Sequence, residues 1–490
     1  MYEHDSKRKL RLRLTFTYAV MILTTLGLVV VALFIALGYR YNQFDGRFEQ
    51  GGMIQFNSRP SGAEIQLDAV KLSNRTATRI TATAGNHAVM VSRDGYKPWQ
   101  KQATVKPGAV LWLNYVRLVP TDPKIETAAT YGSIASVMAS FDRSRFAVIE
   151  NDTQPTVTFS RVHDANVEHS SVTVPADKIT TPSAAGSSRF SLAGWDYANK
   201  RVLVLHTYDD SKTEYLLVSK DSGDPARNIS TEFGISIAEL QYDPTDSNIA
   251  YVLTTNHDIR RLNLSTSTLS GPLVTNASSL VVAYNGWIGY ATHPDVSGVR
   301  TVGYVSKDKL TAKTVQTFTN MSGRSLSYTI ASYYNELYQL VVAGDSATVY
   351  RAELPGSDST DVIKSKTIAK LSLAKDVAFA GFSPREQRFV YIQNGRDIVT
   401  YDLELSSIAT VAPSAALNAK IGWLDDFHLL STADGTIEFM DYDGTNMQTL
   451  ARGASHAATL LAGNDKFFYY FTRYEAAGTV RLMRLSLTTE

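Results

Sequence analysis

The chain changes hydropathic texture three times. From Leu14 through Tyr39 no charged residue occurs. That run, "LTFTYAVMILTTLGLVVVALFIALGY", is about 26 residues long, where about 20 suffice to span hydrocarbon. It predicts a transmembrane helix over 14–39, behind a basic tail over 1–13. The polar stretch "RYNQFDGRFEQGG" follows and reads as an interfacial linker over 40–51, with Tyr39 and Tyr41 at headgroup level. From Met53 the period falls to two: "MIQF", a Pro60–Gly62 turn, then "AEIQLD" with Ala63, Ile65 and Leu67 on one face. "HAVMVSRDGY" and "VLWLNYVRL" continue it between Asp-Gly and Lys-Pro-Gly turns. Five or six short strands in about 67 residues predict a small β-sandwich over 52–120.

The third texture, over 121–490, is a recurring unit. "SVMASFDRSRFAVIEND", "FSLAGWDYANKRVLVLHTY" and "IAELQYDPTDSNIAYVLTT" each carry an apolar strand, an aromatic, a polar turn and a second strand. The later members are "LVVAYNGWIGYATH", "YTIASYYNELYQLVVAG", "VAFAGFSPREQRFVYIQN", "AKIGWLDDFHLLSTADG" and "TLLAGNDKFFYYFTRY". Taking Phe141, Trp195, Tyr242, Tyr284, Tyr333, Phe382, Trp423 and Gly463 as equivalent gives spacings of about 40–54 residues, the period of a four-stranded propeller blade. The expected fold class is therefore mostly β: one N-terminal transmembrane helix, a small sandwich, then a β-propeller of eight blades, or seven if one unit is not a blade. The last unit stops after its third strand, at "RLMRLSLTTE". A strand within 123–131 ("PKIETAATY") is expected to complete it and close the ring, because an unpaired edge invites intermolecular pairing.

Two resemblances sharpen this reading. Pro60, Ser61, Gly62 and Ala63, preceded by Ser58 and followed by a strand ending at Asp68, resemble the Pro-x-Gly-Ala signature of the PEGA domain. Gly85 before a strand and Gly95-Tyr96 before a turn resemble its later features. The sequence departs from that pattern at Asp68-Ala69, where Asp-Gly is usual, and at Thr76-Ala77, where Thr-Pro is usual. Pro60, Gly62, Ala63, Gly95 and Tyr96 are read as structural: proline fixes φ and glycine supplies a positive φ in a sharp turn. "GFSPREQRFVYIQNGRDIVTYDLE" and "GTIEFMDYDGTNMQTLA" are similar to blades of the TolB-like and WD-repeat-like family, although Arg385 stands where that family has Asp.

Composition removes several classes of function. A formal net charge of +1 provides no field for nucleic acid, and no nucleic-acid partner is expected. Without cysteine there are neither disulfides nor thiolate metal sites. The nine His form no paired-ligand motif, and His163 and His169 merely flank a polar turn. The Gly-x-Ser-x-Gly elbow, phosphate-cradling loops and the dinucleotide fingerprint are absent, so neither catalytic residues nor a cofactor or metal are expected. Asp441, Asp443 and Asn446 of "DYDGTN" could offer oxygens to Ca²⁺, but Asp-Gly is a leading hairpin signal and no Glu follows at the required distance.

Tyr333, Tyr334, Tyr338 and the run Phe467–Tyr474 could form a stacking surface, against which alternation and inter-blade packing favour a core role. In "DGYKPWQK", Tyr96, Lys97, Trp99 and Lys101 occupy a turn expected to be exposed, where they could touch lipid headgroups or wall polymer.

The basic cluster Lys7, Arg8, Lys9, Arg11 and Arg13 should stay cytoplasmic. The expectation is thus a single-pass cell-membrane protein with its C-terminal domains extracytoplasmic. A cleaved signal peptide, with Ala36–Gly38 as its cleavage site, is the other reading, but signal h-regions run only about 7–15 residues. The resemblance to PEGA proteins implies association with the envelope. The function expected is non-enzymatic: a spacer or envelope contact, then a propeller that binds a protein or polysaccharide. The alternative is a propeller-borne hydrolase or lyase acting on envelope polymer.

Overall fold

A computed structural model of the chain describes residues 3–489 except 37–38, 43–46, 164–165, 184–186, 210, 222, 307–308, 320, 322, 355–362, 374–376, 396, 412–419 and 475–477. The chain divides into two compact units, one ending at Asp122 and one beginning at Pro123.

The first unit opens with α1 (Glu3–Ala36). Within it Arg13–Phe34 is apolar and unburied over 22 residues, long enough to cross a membrane. The hydroxyls of Thr17, Thr24 and Thr25 donate to the carbonyls four residues back, at 2.9, 2.8 and 2.8 Å. Their polarity is therefore satisfied within the helix. The helix also takes in the basic segment expected as a separate tail, because Lys, Arg and Leu are good helix formers. The end of the candidate cleavage site, residues 37–38, lies outside the described residues.

Where a linker was expected, β1 (Tyr39–Asn42) and β2 (Arg47–Gln50) pair antiparallel, with Tyr41 opposite Phe48. Alternating aromatic and polar residues on either side of a short Gly-containing segment carry the hairpin signal.

The module over 52–121 consists of seven strands: β3 (Gly52–Arg59), β4 (Glu64–Leu67), β5 (Val70–Arg75), β6 (Thr78–Ala82), β7 (Gly85–Ser92), β8 (Trp99–Val105) and β9 (Val110–Arg117). They form two sheets, β6-β3-β9 and β5-β4-β7-β8, and β3 pairs with β9 in parallel. The period-two pattern is realised as alternating burial along β3, and Ile54, Phe56, Ile65, Val91 and Trp99 are fully buried.

The second unit contains eight four-stranded sheets among the described residues. Sheets one to seven span 136–173, 189–228, 237–269, 277–318, 326–372, 377–411 and 420–451, each with its strands in chain order and antiparallel. Sheet eight joins the two ends of the unit, in the order β10 (Ile125–Tyr131), Thr479–Ser486, Phe467–Tyr474, Ala454–Leu461. Ile125 sits opposite Leu485 and Tyr131 opposite Val480.

Apolar clusters fill the spaces between sheets one and two, two and three, three and four, four and five, five and six, and six and seven. A further cluster joins sheet eight to sheet one through Tyr131, Phe146, Val148, Tyr469, Phe471 and Leu482. The first strands of sheets three, four and six each carry a register shift at their start, at Ile237/Glu239, Ala277/Ser279 and Val377/Phe379, and that of sheet two carries one further along, at Leu192/Gly194. A bulge of this kind bends the strand and re-aims the residues beyond it.

Deleting Pro123–Tyr131 strips sheet eight of a strand and removes Tyr131 from the apolar cluster. The melting temperature should fall sharply, and an unchanged melt in differential scanning calorimetry would show that β10 contributes nothing to closing the unit.

Candidate functional site

The signature residues of the first unit build a turn. Gly62 takes φ +78° and Gly95 φ +81°, both in the left-handed region that favours glycine. Thr76 fastens the Pro60 turn: the Gly62 amide donates to the Thr76 carbonyl at 2.7 Å, and Thr76 donates to the Ala63 carbonyl at 3.0 Å. Thr76 Oγ1 also accepts from the Ala63 amide at 2.9 Å, and Ala63 is fully buried.

The stretch expected to contact the envelope requires correction. Tyr96 and Trp99 are not presented to solvent: they are 7% and 0% exposed. The turn is folded back, with the Lys97 amide donating to the Val119 carbonyl at 2.9 Å and Tyr96 bridged to Pro120. Lys101 lies over the rings of Trp99 and Tyr115, its Nζ 5.9 and 5.2 Å from the centroids, so it too packs inward. Of the four, Lys97 alone is neither buried nor stacked on that core.

The remaining sequence candidates resolve into structure. Asp443 accepts from the Thr445 hydroxyl at 2.6 Å, and Asp441 from the Asn446 side chain at 3.0 Å, which engages the "DYDGTN" oxygens within their own turn. His169 lies opposite Ser160 with Nδ1 at 3.0 Å from the hydroxyl, and His163 lies opposite Asn166, three rungs away. Phe468, Tyr469, Tyr470 and Phe471 are buried, as is Tyr338. Tyr334 is exposed, while the Tyr333 hydroxyl donates to Glu404 at 3.0 Å.

Two arrangements lay beyond motif reading. In the first, Ser188 Oγ is 2.9 Å from His206 Nε2, and His206 Nδ1 is 2.8 Å from Glu214 Oε1. Glu214 also accepts from the Thr180 amide and hydroxyl at 2.9 and 2.6 Å and from Asn228 at 2.8 Å. Burial pushes the Glu214 carboxyl up, but these donors outweigh it and hold the pKa at about 2. The connectivity is that of a Ser-His-Glu relay. His206 is 0% exposed, however, and Phe190 and Tyr208 stack on it with centroids at 4.5 and 5.0 Å. In that setting the imidazole and Glu214 clasp Ser188 and Thr180 to sheet two.

The second arrangement is a cavity of about 530 Å³, within the range of small-molecule sites. Its walls are the first strands of sheets three to six, and Tyr197 reaches it from sheet two. Glu239 and Gln241 supply one wall; Ser325, Ser327 and Thr329, at alternating positions, supply another; Phe379 directly follows a bulge in its own strand of sheet six. Burial raises the Glu239 carboxyl above its usual range, and the Gln241 amide donates to it at 2.6 Å. Phe141 stacks parallel on Tyr197 at 4.3 Å and 5°, and Tyr284 meets Tyr197 edge-on at 6.3 Å. From sheet six the Arg385 guanidinium donates to the Phe141 carbonyl at 3.0 Å, tying this rim to sheet one. Among the described residues no group of three or more His, Cys, Asp or Glu is placed to hold a metal.

Residues 52–121 match the PEGA domain family. A comparison with curated proteins found no match. Among solved structures, an oligogalacturonate lyase in complex with manganese is 9% identical, with a TM-score of 0.41, over 75% of this chain and 98% of its own. The Myceliophteria thermophila Cps50 (Swd1) beta-propeller domain is 12% identical, with a TM-score of 0.40, over 74% of this chain and 100% of its own. A eukaryotic initiation factor is 14% identical, with a TM-score of 0.42, over 72% and 86% respectively. Similarity this distant carries no information about what this chain binds or does.

Two measurements check these assignments. Trp99→Ala should destabilise the first unit by about 3–5 kcal/mol in denaturant titration, whereas Lys97→Ala should stay within about 0.5 kcal/mol. Glu214 binds its proton less readily folded (about 2) than unfolded (ordinary value 4.5), so its contribution is full above pH 4.5 and lost as pH falls towards 2. Glu214→Gln should therefore lower stability at neutral pH and flatten its dependence between those values; an unaltered acid limb would exclude Glu214 as its source.

Proposed function

We propose that this chain is a membrane-anchored, non-enzymatic protein of the cell envelope. Its PEGA domain acts as spacer or envelope contact, and its second unit acts as an eight-bladed propeller that binds a protein or glycan. The N-terminal helix spans once, with the basic cluster cytoplasmic and everything after it extracytoplasmic. Support for a closed ring comes from the pairing of β10 with Thr479–Ser486 and from the cluster joining sheet eight to sheet one. The observation that carries the binding role is the convergence of first strands from four successive sheets on one cavity with aromatic and polar walls.

The enzymatic alternative has one specific observation in its favour, the Ser188-His206-Glu214 relay. Its imidazole is fully buried and stacked between Phe190 and Tyr208, which favours a structural role for the relay over acyl transfer.

Three measurements test this reading. Photocrosslinking from Tyr284 in intact cells should capture an envelope protein or polysaccharide, and recovery of nothing above a mock control would count against the platform. A fluorophosphonate probe should leave Ser188 unlabelled in the full chain, and stoichiometric labelling would make the second unit a hydrolase. Protease added to intact cells should release peptides between Arg143 and Arg481, whose protection would reverse the orientation.

A further inference from the structure

We propose that the cavity bounded by sheets three to six is a site for a neutral saccharide, held by aromatic stacking on Phe379 and Tyr284 and by hydroxyl recognition from Glu239, Ser327 and Thr329. This deepens the binding-platform reading and rests on it.

The chemistry of the walls selects the ligand class. Among the described lining residues there is no Lys, Arg or His, and Glu239 is the sole carboxylate. Within the cavity a phosphate, nucleotide or uronate would meet one carboxylate and no lining cation, and the Arg385 guanidinium at the rim is turned to the Phe141 carbonyl, which disfavours an anion. Neutral hydrogen-bonding groups are abundant: the hydroxyl stripe of Ser325, Ser327 and Thr329 faces the same space as Glu239 and Gln241. A carboxyl group accepts from adjacent hydroxyls without requiring a countercharge.

The aromatics supply the other half of a sugar's requirements, an apolar face for its C–H surface. Phe379 is 54% exposed and Tyr284 49%, although both lie against a well-packed unit. Phe379 keeps an open face because of two features of its strand. The register shift at Val377/Phe379 re-aims it. Its ring also crosses the place where a side chain at 381 would begin: a Cβ on Gly381 would lie 3.3 Å from the ring. Glu239 follows the equivalent shift in sheet three, so carboxylate and aromatic are delivered by the same device on two strands.

A peptide added as an extra strand is disfavoured by what the neighbouring backbone already does. The Gln241 side chain donates to the Leu280 carbonyl at 2.9 Å and accepts from the Val282 amide at 2.8 Å. Gln387 accepts from the Ser332 amide at 2.9 Å. The backbone groups of first strands that would template a peptide are thus engaged by side-chain amides.

The test titrates the full chain, in micelles of a sugar-free detergent, with cello- and chito-oligosaccharides, an oligogalacturonate and a lysine-rich peptide, followed by calorimetry. A neutral oligosaccharide should bind with Kd between about 10 μM and 1 mM. Phe379→Ala and Glu239→Gln should each weaken it about tenfold or more at an unchanged melting temperature. Failure of every neutral saccharide to bind at about 10 mM, binding that survives both substitutions, or binding of the anionic sugar or the peptide alone overturns the proposal. Saccharide failure with a protein captured from cells leaves the platform standing and removes only this ligand; fluorophosphonate labelling of Ser188 removes the platform itself.

Discussion

The second unit depends on one pairing, that of Ile125–Tyr131 with Thr479–Ser486. Each preceding sheet is bound to the next by apolar faces that follow in chain order, and such a series has no intrinsic stopping point. The pairing joins its two ends: Tyr131 enters the same cluster as Phe146 of sheet one and Phe471 of sheet eight. It also occupies an edge of Thr479–Ser486 that would otherwise be free to recruit another chain. More than 300 residues of sequence separate the partners, so the contact is costly to form in chain entropy. What offsets that cost is the collective burial of both terminal sheets, not the handful of ladder hydrogen bonds.

How legible this was varies with the distance over which a residue finds its partner. The repeating units could be read because strand, aromatic and polar turn recur locally, and each pairing within a sheet joins neighbours in sequence. The Pro60 turn could be read because Pro60 and Gly62 carry their backbone requirement in their own chemistry. The β1–β2 hairpin reads as linker in sequence, since two four-residue strands barely register as a period. Tyr96 and Trp99 misled for a related reason. Their neighbours Asp94, Lys97 and Lys101 mark an exposed turn, while the contacts that bury them come from Tyr115, Val119 and Pro120, about twenty residues on.

The cavity was illegible because it is assembled from single residues of separate repeats. Glu239 and Phe379 are ordinary members of alternating strands, and nothing in sequence distinguishes them from core-facing neighbours. Their significance comes from register shifts at equivalent places in two sheets, and a shift of one residue is invisible in a hydrophobic pattern that tolerates it. The Ser188-His206-Glu214 relay escaped motif reading for the same reason: its serine lies outside an elbow and its other members are cross-strand neighbours, His206 opposite Glu214.

Charge is distributed in a way that separates holding from binding. Two arginines of the sheets are held in ion pairs that include a buried carboxylate: Arg388 is shared between Asp402 at 2.7 Å and Glu404 at 2.6 Å, and Arg201 is held on Asp196 at 3.2 Å. Breaking one partner of such a pair leaves a charge without solvent, so these clusters resist change and fix the sheets' positions. The cavity contains none of them. Its carboxyl group has a neutral amide for a partner, and two of its aromatics keep about half their surface open. A ligand entering there would displace water from hydroxyls and ring faces without disturbing an ion pair on which the sheets depend. On the proposed reading, substitution at Phe379 or Ser327 would tune binding while the scaffold stays intact, because the sheets are held to one another by apolar clusters to which neither side chain belongs.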